Sequence, residues 1–198
     1  MFQMLQVLNE IDVALFLFLN QLHLPILDPV FFWISHKYFW IPLYMYLFWY
    51  LYKYEKKDFV ALLFAIVLAI TLSDQISTSV LKNNIMRLRP CHNPDIASQV
   101  HIVRNYCGGL YGFVSSHASN SFALFAFVMT LVRGRVWAFR HYFLFWACIN
   151  SYSRIYMGVH YPGDVIGGVI LGLLIGYILA KIYLYYKKIR RPTLPVQD

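Results

Sequence analysis

Long apolar runs alternate with short polar breaks along the chain, and the length of the runs sets the fold class. Runs at about 31–52, 59–81, 117–132, 136–155 and 163–186 approach the ~20 residues that a helix needs to cross a bilayer. They predict five transmembrane helices. Residues 1–24 are also apolar but are interrupted by Glu10 and Asp12 and punctuated at their end by Pro25, Asp28 and Pro29. They predict an amphipathic helix lying in the membrane interface, with a sixth span as the alternative. A basic leader segment and an Ala-x-Ala-like site are both missing there, so no cleavable signal peptide is expected. The polar stretch from Lys82 to Ser116, with Pro90, Pro94, Gly108, Gly109 and Gly112, predicts a long loop. There is no internal repeat and no low-complexity tract. The expected fold class is all-α: a polytopic membrane helix bundle of five spans plus an N-terminal interfacial helix, forming one domain over residues 1–198.

Composition agrees. Of the 198 residues, 60% are hydrophobic and 13% are charged, against about 25% charged in soluble domains. Such a chain is neither disordered nor able to cover its apolar surface in water. The 19% aromatic content suits the two membrane interfaces. The net charge of +8 would suit nucleic acid, but no nucleic-acid partner is expected, because the basic residues do not share one face or helix. Eleven of the seventeen fall at Lys53, Lys56, Lys57, Arg133, Arg135, Arg140, Lys181, Lys187, Lys188, Arg190 and Arg191. With five spans these segments share one side of the membrane. The positive-inside rule makes that side, and the C-terminus with it, cytoplasmic. The N-terminal helix, the 82–116 loop and the 156–162 turn then face the periplasm or exterior. Cys91 and Cys107 lie together in the outward loop, where a disulfide is permitted and two free thiols are the alternative. Cys148, inside the fourth span, is expected to be a reduced, small apolar residue.

Polar residues beside spans are expensive and mark function. Three clusters of them gather on the outward side. Lys82-x6-Arg89-Pro90 ends the second span with two cations and a helix-stopping proline. Arginine can grip phosphate oxygens as a fork, and lysine adds a point charge. Arg87, between them, is assigned to lipid head groups. Val114-Ser115-Ser116-His117 opens the third span, where free N–H groups make an anion site and either serine can cap the helix. Ser153-Arg154-x5-His160-x3-Asp164 joins the fourth and fifth spans. An acid four residues after a histidine can accept one imidazole N–H and orient the other nitrogen outward. Taken singly, each cluster also has an ordinary reading as snorkelling cations, an N-cap or an interfacial pair.

Together the three clusters resemble the type 2 phosphatidic acid phosphatase (PAP2) family, whose pattern is Lys-x6-Arg-Pro, then Pro-Ser-Gly-His, then Ser-Arg-x5-His-x3-Asp. Order and spacing match in the first and third parts. In the second, Val114 stands for Pro and Ser116 for Gly. The resemblance implies a two-step phosphoryl transfer without metal or cofactor. His160 is the nucleophile, Asp164 its orienter, and His117 the acid and then the base. Lys82, Arg89 and Arg154, with the Ser115 and Ser116 N–H groups, hold the phosphate. The implied substrate is a membrane lipid phosphate or diphosphate of the outer leaflet: undecaprenyl diphosphate, phosphatidylglycerol phosphate, phosphatidic acid or lipid A. The implied location is the bacterial cytoplasmic membrane.

Asp74, Ser77 and Thr78 are assigned an internal structural role beneath the site. Gly168, Gly172 and Gly176 continue the row from Asp164 as a stripe for close helix packing. His92, Asp95, His101, Arg104 and Tyr106 are candidates for head-group selection on an otherwise solvated loop. His23, His36 and His141 are placed at the interface. An anionic-lipid transporter, a non-catalytic lipid-phosphate binding protein and a vanadate haloperoxidase are the competing readings. The first predicts charges deep in several spans, where only Asp74 fits. The second predicts loss of His160, Asp164 or His117, and the third a soluble chain.

Overall fold

A computed structural model of the chain describes residues 2–132 and 137–190. Among the described residues there are helices, loops and one isolated bridge, Leu88 to Tyr111, but no strand. Helix α1 (Phe2–Gln21) is followed by a 3-10 turn at Pro25–Leu27 and by α2 (Asp28–Ile34). Next come α3 (Ile41–Tyr54) and α4 (Phe59–Gln75). The latter runs on through a π-helical stretch, Ile76–Lys82, into α5 (Asn83–Ile85). Then come α6 (Ser116–Val132), α7 (Trp137–Tyr156) and α8 (Pro162–Arg190).

The run expected as a first span at 31–52 is not one helix. Helix α2 stops at Ile34, His36 is extended, and a 3-10 turn at Lys37–Trp40 leads into α3. Ser35, His36 and Lys37 interrupt the apolar pattern here. Pro42 sits in the first turn of α3, where its missing N–H removes no helical bond. By length and apolarity two helices could each cross a bilayer, Phe59–Ile85 and Pro162–Arg190. Helix α1 and Pro25–Ile34 reach that standard only as a pair bent by 91°. Helix α1 packs against α7 and α8. The 17-residue α6 is apolar but short, and it lies innermost, with Ala118, Phe122, Phe127 and Val128 buried. Lipid-facing sides are readily seen: Val60, Phe64 and Val67 on α4, and Ile166, Ile170 and Leu174 on α8, are exposed.

The tightest contact in the bundle is between α6 and α8. A Cβ placed on Gly168, Gly172 or Gly176 would lie 2.5 Å from the Ser115 carbonyl oxygen, 2.2 Å from that of Ser119 and 2.1 Å from that of Ala123. Two i, i+4 rows, glycine on one helix and carbonyl on the other, therefore lie against each other, as the expected packing stripe requires. The bond from Ser115 N to the Asp164 carbonyl, 2.9 Å, closes the outer end of this seam. At the opposite end Lys187 reaches Glu55, and Arg190 lies 3.5 Å from Asp58. The α3–α4 turn and the end of α8 thus share one side, as the charge distribution requires. Arg133, Arg135 and Arg191, which the same argument used, lie outside the described residues. Cys91 and Cys107 form a disulfide, with Cα atoms 6.0 Å apart. Cys148 is a free, exposed cysteine on α7.

Gly172→Leu is expected to abolish recovery of monodisperse protein in detergent. Gly172→Ala, which still forces the helices apart, should cost about 1–3 kcal/mol. Size-exclusion profiles and thermal melts of the two variants check this. Wild-type melting of Gly172→Leu would show that the seam does not hold the bundle together.

Candidate active site

The seam between α6 and α8 brings two of the three clusters together, and the 86–115 loop adds the rest. His160 lies in the short link between α7 and α8 and is buried, as is Asp164 in the first turn of α8. The Asp164 carboxylate is held from three sides. Its Oδ2 accepts the Tyr161 N–H at 3.0 Å and faces His160 Nδ1 at 3.3 Å, while Oδ1 accepts from Arg87 at 3.0 Å. The backbone of Gly112 lies over this pair, since a Cβ there would be 2.9 Å from Asp164 Oδ2 and 3.5 Å from His160 Nδ1. A carboxylate at Nδ1 fixes the tautomer with Nε2 free of its proton.

Three cations surround His160: Arg89, Arg154 and Lys82. Among the described residues none of them forms an ion pair with a carboxylate. Arg89 donates to the carbonyls of Tyr111 (3.3 Å) and Cys107 (3.4 Å), which ties it to the disulfide-closed loop. Arg154 donates to the Ser35 hydroxyl, and its enclosed Nε has no partner among the described residues. Lys82, on the π-helical stretch, donates to Ser116 Oγ at 2.9 Å. Burial, then the fields of Arg89, Arg154 and Lys82, hold the His160 imidazole well below the usual histidine range. The ring is therefore neutral at neutral pH.

The second cluster is used unevenly. Ser115 is buried, and its N–H is taken by the Asp164 carbonyl. Its hydroxyl accepts from Ala118 N at 3.5 Å, as an N-cap does, so it serves the seam. Ser116 Oγ accepts from both Lys82 and Ser77 (3.0 Å), which leaves its own proton free to donate. The Ser116 and His117 N–H groups precede the first helical bond of α6, Ser119 N to Ser115 O. Val114 is buried against Gly167.

Several residues stand elsewhere than expected. Arg87 does not face lipid head groups. It bridges Asp164 and Asp12 (2.7 Å), donates to Asn9 (3.0 Å), and stacks on the Tyr161 ring 4.0 Å away. Asp12 also accepts the Gly163 N–H at 2.7 Å, so α1 caps α8 from outside. An acid in an apolar helix was the available signal for Asp12, and nothing in local spacing joined it to Arg87. His36, placed at the interface, lines an outer cavity of about 300 Å³ with Ser35, Lys37, Tyr106, His117 and Arg154. Of the loop candidates, Tyr106 reaches this cavity, whereas His101 pairs with Asp28 (3.0 Å) and Arg104 stacks on Phe32 (4.1 Å). Among the described residues, the one histidine, cysteine and acid grouping tight enough for a metal is Cys91, His92 and Cys107, and its two sulfurs are joined to each other.

Residues 58–188 match the family model of the PAP2 superfamily. The chain belongs to the PAP2 superfamily. Two relatives are each named lipid A 4'-phosphatase. That of Bacteroides thetaiotaomicron is 40% identical over 172 residues, 85% of this chain and 75% of its own length. That of Porphyromonas gingivalis is 36% identical over 179 residues, 89% and 74% of the two chains. The crystal structure of a transmembrane PAP2-type phosphatidylglycerolphosphate phosphatase from Bacillus subtilis superposes with a TM-score of 0.65. It covers 94% of this chain and 90% of its own at 24% identity, a likeness of fold. This PAP2 protein is thus a membrane phosphatase, a hydrolase of lipid phosphates.

Arg87, itself paired with Asp12, holds the Asp164 carboxylate in place. Arg87→Ala is expected to lower kcat about ten- to a hundred-fold with little change in KM, since a small displacement of a reacting group costs that much. Arg87→Lys should restore part of it; a loss confined to KM would place Arg87 on the substrate instead. In detergent, ¹⁵N-histidine spectra at pH 6 should show His160 neutral and protonated at Nδ1. An imidazolium titrating near the ordinary value of about 6.5 would contradict the burial argument.

Proposed function

We propose that the protein dephosphorylates a membrane lipid phosphate of the lipid A type through a phosphohistidine. The observation that carries the reading is the trio of carboxylate-free cations around a neutral, acid-oriented His160. Buried charge without a partner is costly, and an anion with several oxygens relieves that cost. His160 Nε2 attacks phosphorus, and the bond from phosphorus to the lipid oxygen breaks. His117 gives that oxygen its proton. Water then attacks the phosphohistidine, His117 takes a proton from it, and the P–N bond breaks to release phosphate and neutral His160. Asp164 stabilises the ring while it is charged. Lys82, Arg89, Arg154, the Ser116 hydroxyl and the Ser116 and His117 N–H groups hold the equatorial oxygens as charge develops. Ser115, whose N–H is engaged, acts by anchoring this N-terminus. No metal enters the scheme.

His117 also lines a second, larger cavity of about 620 Å³ that runs from Ser116 inward among α3, α4, α6 and α7. Its walls are largely apolar, including Leu47, Leu62, Ile66 and Trp146, and exposed Phe48 and Val67 mark its opening towards lipid. A lipid tail fits the inner cavity while the headgroup phosphate lies beside His117, which both cavities share. The names of the two lipid A 4'-phosphatase relatives support the substrate class. The whole chain acts as one domain, since α1 contributes Asp12. The site faces the periplasm, and the C-terminus lies in the cytoplasm.

Purified protein in detergent with EDTA is expected to release phosphate from lipid A, ahead of phosphatidylglycerol phosphate, phosphatidic acid and undecaprenyl diphosphate. His160→Ala should release none at unchanged folded yield. Activity that vanishes with EDTA, or survives in His160→Ala, would overturn the scheme.

A further inference from the structure

The inner cavity carries a polar point that the catalytic scheme does not use. Asp74 on α4 and Asn120 on α6 both line it. Asn120 Nδ2 donates to Asp74 Oδ1 at 3.1 Å, and this is the only side-chain bond to the Asp74 carboxylate among the described residues. Asn120 Oδ1 is enclosed and has no hydrogen-bond partner among them. The other polar pair on this wall is satisfied, because Asn150 Nδ2 donates to Ser121 Oγ at 2.7 Å. Asp74 therefore keeps spare acceptor capacity on the cavity wall, held by the Asn120 amide, whose own enclosed oxygen does not reach the cavity. The pair also stands at a defined depth. Asn120 is one helical turn beyond His117, about 4.5 Å along α6. With the phosphate beside His117, as in the proposed reaction, this depth corresponds to the head of the lipid tail.

We propose that Asp74, positioned by Asn120, recognises a hydrogen-bond donor at the head of the substrate's tail, an amide N–H or a chain hydroxyl. The inference rests on the lipid phosphatase reading above and names the chemistry that this site selects. A donor there adds a hydrogen bond to the Asp74 carboxylate, which takes one side-chain hydrogen bond among the described residues and stands in a largely apolar wall. A glycerophospholipid presents only ester oxygens at this depth, which meet the Asp74 carboxylate as acceptors. A polyprenyl tail presents only carbon. Selection thus works by mismatch as well as by attraction.

The test compares an N-(3-hydroxyacyl) glucosamine phosphate with phosphatidic acid of equal chain length. A third probe keeps the amide and lacks the hydroxyl. Wild type is expected to prefer the amide-bearing probes, and Asp74→Leu should lower the ratio of kcat/KM values about ten- to a hundred-fold, the worth of a hydrogen bond to a charged acceptor. Asp74→Asn, which keeps an acceptor oxygen and the shape, should lower it less. Dissociation constants of the same probes for His160→Ala protein, with and without Asp74→Leu, give the ratio without turnover. The fluorescence of Trp146, in the cavity wall, reports the binding. An unchanged ratio, or an equal loss on ester and amide probes, would overturn the inference and make Asp74 a packing residue. Selective binding without turnover of any probe would sink the phosphatase reading and leave this recognition point standing. Preference that disappears with the hydroxyl assigns the donor to the chain, and preference that persists assigns it to the amide.

Discussion

Everything in the site hangs on how closely α8 can approach α6. Three glycines one turn apart let the backbone of α8 rest on the carbonyl row of α6. In a bilayer there is little hydrophobic gain in bringing helices together, so contact must come from fit. The fit here also sets a register. Ser115 N meets the Asp164 carbonyl at the outer end of the seam, which puts the N-terminus of α6 beside the first turn of α8. His160 and Asp164 from one motif are thereby set beside Ser116 and His117 from another, and the loop that carries Arg89 and Gly112 closes over them.

A second constraint is electrostatic. The site concentrates three cations that form no carboxylate ion pair among the described residues, while Asp164, the carboxylate beside His160, is engaged elsewhere. Arg87 and Tyr161 N hold Asp164 on the His160 side. Asp12 in turn balances Arg87, and it does so from α1, at the opposite end of the sequence. The arrangement keeps the acid next to the imidazole and leaves Arg89, Arg154 and Lys82 without a carboxylate ion pair among the described residues. In the proposed reaction, cations held this way are organised before the phosphate arrives.

Much of this was legible in the sequence because it is local. His160 and Asp164 are four residues apart, the glycine row has helical spacing, and a proline after Arg89 ends a helix wherever it stands. Hydropathy found the apolar runs but could not see inside the one at 31–52. A run of aromatics and aliphatics scores as a span even where Ser35 and His36 break the helix, and only the outer cavity that they line explains the break. Arg87 and Asp12 were separable from ordinary interfacial charges only by a contact across 75 positions of sequence. Ser116 departs from the family pattern, yet its hydroxyl is bonded to Lys82, so the substitution changes how the cation is anchored, which no motif comparison weighs.

Both cavities are lined by His117. In the proposed reaction the dephosphorylated lipid retreats sideways into the bilayer, and the phosphate escapes outward into water. The products therefore do not leave through one another's path, and neither stays near its former partner. Separate exits keep one product from blocking the release of the other, while the direction of the reaction is set by the free energy of hydrolysis.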